Sequence, residues 1–181
     1  MDHHCYVVMG IASCGKSSVG QELARVLARA LAIDSVDYYE GDAYHPVENV
    51  EKMKNGIALD DDDRRPWLMR LHQVMVDACR SCCTCVLACS ALKKIYRDVL
   101  QGDEIPDGYV RYVWLDIDPV LAKQRCLLRG TESHFFPSSL VDSQYAILDM
   151  KEEESFCHVQ VHREDTVGDI VTCIMKTIMG H

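Results

Sequence analysis

Gly10-Ile11-Ala12-Ser13-Cys14-Gly15-Lys16-Ser17 fits the pattern G-x-x-x-x-G-K-[ST], which is tied to one local geometry. The loop has to follow a buried strand and open a helix. Only then do successive backbone N–H groups and the positive end of the helix dipole converge on one set of phosphate oxygens. The flanks meet that requirement: Tyr6-Val7-Val8-Met9 is a short apolar run of strand type, and residues 18–31 carry apolar side chains at helical spacing. The chemistry implied is the binding of a nucleoside triphosphate. Gly10, Ser13, Cys14, Gly15, Lys16, Ser17 and Ser18 would surround the phosphates, with Lys16 on the β and γ oxygens and the Ser17 hydroxyl on Mg²⁺.

The rest of the chain repeats the strand-then-helix pattern. Apolar runs bounded by turns recur at residues 6–9, 35–39, 83–88, 109–115 and 158–161. Helix-compatible segments at 16–31, 47–54, 64–80, 94–100, 119–128, 137–149 and 166–179 separate them, with Pro119 and Pro137 placed as first-turn prolines. Such alternation predicts an α/β fold, a parallel sheet covered by helices, and 181 residues suit one domain over 1–181. In open sheets of this kind ligands bind at the carboxyl ends of the strands, which is where Gly10, Gly41-Asp42, Cys89-Ser90 and Asp116 fall. One cleft is expected to collect them.

Charge and composition exclude several classes. With 28 acidic against 19 basic residues the formal charge is −9, and no Lys/Arg stripe offers a footprint for nucleic acid. No apolar run reaches 18 residues and no charged-then-apolar leader is present, so neither a membrane partner nor secretion is expected and the cytoplasm is the default location. Ten cysteines in such a setting are expected as thiols. Cys79-x-x-Cys82-Cys83-x-Cys85 has the spacing of half a zinc site, but a second C-x-x-C pair is missing, and the run is read as partly strand core.

Three segments carry the chemistry of an acceptor. In Glu40-Gly41-Asp42-Ala43-Tyr44-His45-Pro46 a carboxylate lies just past a strand end, and Asp42 is the candidate general base or holder of an Mg²⁺ water, a capping role in the turn being its alternative. His45 binds substrate or fixes the turn. Asp60-Asp61-Asp62-Asp63-Arg64 enters a helix, where acids serve as caps, while the Arg64 guanidinium suits an anionic acceptor. Past the third strand, Ser90, Lys93 and Arg97 offer a hydroxyl and positive charge to a polyhydroxy acid, or form an ordinary exposed helix start. Arg125 and Arg129 end a helix before a loop; they stabilise a phosphoryl group or simply solvate that helix.

Taken in order, these blocks resemble the gluconokinase family. They are Tyr6-x-x-Met9-Gly10 with the phosphate loop, Gly41-Asp42-x-x-His45-Pro46, Asn49 with Lys52-Met53, Leu59-x-Asp61-Asp62-Asp63-Arg64-x-Pro66-Trp67-Leu68, Cys89-Ser90-Ala91-Leu92-Lys93-Lys94-x-Tyr96-Arg97-Asp98 and His134-Phe135-Phe136. The resemblance extends from Tyr6 to about Leu148. It implies transfer of the ATP γ-phosphate to the 6-hydroxyl of D-gluconate, on a three-layer P-loop kinase fold similar to shikimate and nucleoside monophosphate kinases. It also implies strand order 2-3-1-4-5, a mobile lid at about 129–137, an acceptor region at about 42–70 and a homodimer. Lys16, Asp42, Arg125 and Arg129 take the catalytic positions; Asp42, His45, Arg64, Ser90, Lys93, Arg97 and His134 the substrate positions; Ser17 and Glu40 the Mg²⁺ positions, Glu40 through water. The chain departs from the family at Ser13, commonly glycine, at Glu40, commonly aspartate, at Asp60, usually Asn or Thr, and in a lid two residues longer. The adenine-side loop is placed near 163–167.

Two competing functions follow from the same residues. A kinase of another small hydroxy acid such as shikimate would share the phosphate loop. A silent nucleotide-binding module would bind ATP without transferring phosphate, although the absence of an Asn-Lys-x-Asp motif argues against a guanine-nucleotide switch.

Overall fold

Strand β1 (Cys5–Met9) is wholly buried, and its side chains alternate between two cores. A computed structural model describes residues 3–129, 138–150 and 156–180, with the Arg129 side chain outside that set. β1 pairs in parallel with β3 (Cys85–Ala88) on one side and with β4 (Val110–Ile117) on the other; β2 (Asp37–Glu40) flanks β3 and β5 (Cys157–Val161) flanks β4. The order is therefore 2-3-1-4-5, as the family resemblance implies.

Each face is covered by its own helices. Tyr6 and Val8 meet α1 (Lys16–Ala30) and α7 (Val167–Met179) through Val19, Leu23, Leu27, Ile170 and Ile174. Cys5, Val7 and Met9 meet α3 (Asp61–Arg80) and α4 (Lys94–Gln101) through Trp67, Leu68, Leu71, Met75, Tyr96 and Leu100. Strands buried on both faces need apolar residues at every position, which is why β1 and β3 read as unbroken runs. The remaining helices are α2 (Val47–Lys54), α5 (Pro119–Arg129) and α6 (Val141–Ala146). No helix among the described residues is long and apolar enough to cross a membrane.

Several boundaries differ from the sequence expectation, β2 and β3 each starting two residues later, and three others have a visible cause. Helix α3 starts at residue 61, not 64, because Asp60 and Asp63 cap each other: the Asp63 N–H donates to Asp60 Oδ1 at 2.8 Å and the Asp60 N–H to Asp63 Oδ2 at 3.1 Å. β4 runs on to Ile117, since β5 supplies partners for Asp116 and Ile117. The helix expected over 137–149 is only a 3-10 turn (Ser138–Leu140) and α6, after which the Asp149 N–H leaves to donate to Leu92 O at 2.8 Å.

Candidate active site

The loop between β1 and α1 works through its backbone. Gly10 has φ 144°, and a Cβ there would lie 2.6 Å from Leu115 O and 2.9 Å from Cys14 Sγ, so no other residue fits. Ser13 sits in the left-handed region at φ 62°, where the family commonly has glycine. The Cys14 side chain is fully buried in the core and its N–H donates to Ile11 O at 3.4 Å, so the thiol takes no part in a ligand contact. Gly15 caps α1 with no side-chain acceptor on the first-turn amides, and no acidic residue occupies that turn. These are the conditions under which a helix N-terminus receives an anion. Lys16 folds back over the loop, its Nζ donating to Gly10 O at 3.1 Å and Ile11 O at 3.0 Å.

Across from the loop stands a wall of side chains. One cavity is lined by Ala12, Ser13, Gly15, Lys16 and Ser17 on the phosphate side and by Asp42, His45, Arg64, Trp67, Ser90 and Gln144 on the other. Asp42 rides on a 3-10 turn (Gly41–Tyr44) directly after β2. That turn is pressed against the end of β3: a Cβ on Gly41 would come within 2.3 Å of Ala88 O. Trp67, 1% exposed, donates its indole N–H to Gly41 O at 2.7 Å and stacks on the His45 ring at 4.1 Å between centroids. Burial, and then the Arg64 charge, lowers the His45 pKa to about 4, so the ring is neutral near pH 7. His45 Nδ1 is buried without a hydrogen-bond partner among the described residues, a vacancy that a bound polar ligand would fill.

Arg64 is nearly buried yet reaches the cavity; its Nη1 donates to Leu59 O, Asp60 O and the Tyr96 hydroxyl. Lys93 lies outside this cavity, in an adjoining groove it shares with Asp60, Asp61, Asp62 and Arg64. It pairs there with Asp61 at 2.6 Å, and the Lys93 and Tyr96 hydrogen bonds hold the Asp61 carboxyl below the usual range. Glu40 also lies outside the cavity lining; its Oε2 accepts a hydrogen bond from the Tyr38 phenol at 2.7 Å.

Three expected site residues are placed elsewhere. Arg97 is 3% exposed and lies outside this cavity; its guanidinium donates to Ala91 O at 2.9 Å and Asp149 O at 2.7 Å, and sits 5.2 Å from the Phe156 ring centroid. The charge that the sequence offered to an acceptor is spent joining the turn after β3 to the chain after α6. Ser18 is exposed and outside the cavity. Arg125 donates to His162 O at 3.0 Å, just past the end of β5. The Arg129 side chain, His134 and the lid segment 130–137 lie outside the described residues. Conversely, Gln144 was not singled out from sequence. Its Oε1 accepts the Ala12 N–H at 2.6 Å across 132 positions, a contact that no local pattern signals.

A parallel 2-3-1-4-5 sheet whose central strand runs into a phosphate loop, faced by a carboxylate and a buried arginine, defines a P-loop kinase. No family model matches the chain. It is 37% identical over 147 residues to the thermoresistant gluconokinase of Escherichia coli, covering 81% of this chain and 77% of that protein. It is 40% identical over 144 residues to the gluconokinase of Gluconobacter oxydans, covering 80% and 74%. The crystal structure of a gluconokinase from Sinorhizobium meliloti superposes with a TM-score of 0.80 at 34% identity, covering 99% and 93%. The chain belongs to the gluconokinase family.

Proposed function

We propose that the protein is a gluconokinase, transferring the γ-phosphoryl group of ATP to the 6-hydroxyl of D-gluconate to give 6-phospho-D-gluconate and ADP. The observation that carries this reading is the single cavity that brings Lys16 and Ser17 opposite Asp42, His45, Arg64 and Ser90. In the forward step the acceptor oxygen bonds to the γ-phosphorus as the bond to the β–γ bridging oxygen breaks. Asp42 takes the hydroxyl proton and ADP leaves with the electron pair. Lys16 and the amides from Ser13 to Ser17 hold the charge that accumulates on the phosphates. His45 Nδ1, Arg64 and Ser90 orient the acceptor, and the neutral His45 ring suits a hydroxyl better than a carboxylate. The acceptor region is then 42–70, with Lys93 at its outer edge and Arg97 in a structural role.

Mg²⁺ fits the chemistry of the proposed donors, because the Ser17 hydroxyl at the start of α1 and the Glu40 carboxylate at the end of β2 are hard oxygens. When bound it would neutralise charge between the β and γ phosphates, Glu40 acting through water. By family resemblance, a lid at 129–137 would carry Arg129 and His134 over the site, Arg125 would serve from its flank, and residues 1–181 would form one domain in a homodimer. The compartment proposed is the cytoplasm, a reducing setting that suits a chain with ten cysteines.

The test is Mg·ATP-dependent ADP release with gluconate, shikimate, other aldonic acids and no acceptor, using Lys16→Ala as the blank. Selective turnover of gluconate is expected. Preference for shikimate, or ATP binding without turnover of any acceptor, would overturn the reading.

A further inference from the structure

The Ile11–Ala12 peptide is held at both ends. Its carbonyl accepts from Lys16 Nζ at 3.0 Å, and its N–H donates to Gln144 Oε1 at 2.6 Å. Ala12 is therefore not among the loop amides open to a ligand, whereas the first-turn amides of α1 are uncapped. A carboxamide that spends its oxygen on the loop keeps two N–H donors on the adjacent nitrogen. Gln144 Nε2 has no acceptor among the described residues, and the side chain lines the cavity together with Lys16, Asp42 and Ser90. The carbonyl and N–H of a trans peptide point to opposite sides, so Lys16 and Gln144 flank the Ile11–Ala12 peptide, and both border the one cavity that also holds Asp42 and Ser90, where an outermost phosphate would face the acceptor.

We infer that Gln144 is a ligand of the terminal phosphate: its Nε2 donates to an oxygen of the phosphoryl group being transferred, while its Oε1 holds the phosphate loop in register. The inference takes the identity of the nucleotide from the kinase reading above. It accounts for an amide at this position, because a glutamate would accept the Ala12 N–H equally well yet set a negative charge against the phosphate.

Gln144→Glu and Gln144→Ala separate the two halves of the side chain's role. Titrations with Mg·ADP and with a non-hydrolysable ATP analogue measure binding, and steady-state kinetics measure transfer. ADP affinity is expected to stay within about twofold of wild type in both variants, while analogue affinity falls about tenfold in Gln144→Glu and about fivefold in Gln144→Ala. The kcat of Gln144→Glu is expected to drop about 10²-fold with KM for gluconate within about twofold, the cost of losing one donor to a developing charge. Unchanged analogue affinity, or equal losses for analogue and ADP, would overturn the inference in favour of a role in loop shape alone. Should Gln144→Ala fail to fold, the isosteric Gln144→Glu decides. A wild-type protein that does not phosphorylate gluconate would sink the acceptor assignment; the analogue-to-ADP comparison would still test Gln144.

Discussion

The phosphate loop presents consecutive backbone N–H groups to its ligand, whereas the opposite wall presents the side chains of Asp42, His45, Arg64 and Ser90, drawn from three separate stretches of chain. On the first wall, Lys16 and Ser17 apart, side-chain identity matters little so long as the backbone keeps its path: Ser13 stands at φ 62°, and the Cys14 thiol belongs to the core. On the second wall each group has its own anchor. Gly41 packs on Ala88, Trp67 holds Gly41, His45 stacks on Trp67, and Arg64 is fixed by Leu59, Asp60 and Tyr96. A site made of backbone is specified by a short motif. A site made of side chains is specified by tertiary contacts, and it fails one residue at a time.

The largest test of this contrast is Asp42→Asn, which keeps the shape of the wall and removes the proton acceptor. Its kcat is expected to fall about 10²- to 10⁴-fold while ADP binding holds, and near-normal turnover would remove Asp42 from its role. Next is Arg97→Met. Leaving Ala91 O and Asp149 O buried without their donor should cost about 2–3 kcal/mol in denaturant melts, with activity per folded molecule within about threefold of wild type. A raised KM for gluconate with unchanged stability would return Arg97 to the substrate wall.

Trp67→Phe is smaller still: the ring stays against His45 but Gly41 O loses its donor, at about 1 kcal/mol. We expect kcat/KM for gluconate to fall about fivefold and nucleotide affinity to stay level, the separation of the two walls predicting that the loss does not spread. The last test reads the pH dependence of stability, not turnover. With its pKa at about 4 in the fold against 6.5 when exposed, His45 resists protonation in the native state. Its contribution to stability is complete above pH 6.5 and disappears as pH falls toward 4, at about 1.4 kcal/mol per unit. Urea midpoints measured between pH 7 and 4.5 should fall less in His45→Gln than in wild type. Asp61 and Asp63, held below the usual carboxylate range by Lys93 and Lys52, add their losses at lower pH.

Much of the fold was legible because its signals are local. The five strands appeared as apolar runs, the motif located the first β–α turn, and the strand order followed from the family resemblance. The candidate base was legible for the same reason, lying a fixed step beyond a strand end. What escaped is long-range. Nothing in Lys93-Lys94-Ile95-Tyr96-Arg97 separates the exposed Lys94, paired with Asp98, from Arg97, buried under the chain after α6. Helical periodicity puts both on an amphipathic surface, and only the partner across the fold tells them apart. Gln144 was invisible on the same grounds, a polar residue in a short helix whose partner lies near the other end of the sequence. The early start of α3 was available in principle, since the reciprocal cap of Asp60 and Asp63 uses residues already in view.

The turn that bears Asp42 hangs from β2, whose four residues lie unburied at the sheet edge with β3 as their sole strand neighbour, while β1 and β3 are buried throughout. Edge segments of this kind detach at a smaller free energy than the body of a sheet. Mild heating or dilute denaturant should therefore silence the protein while its circular dichroism is still native. Its working lifetime would be governed by a few residues at one margin of the fold, not by the melting of the whole.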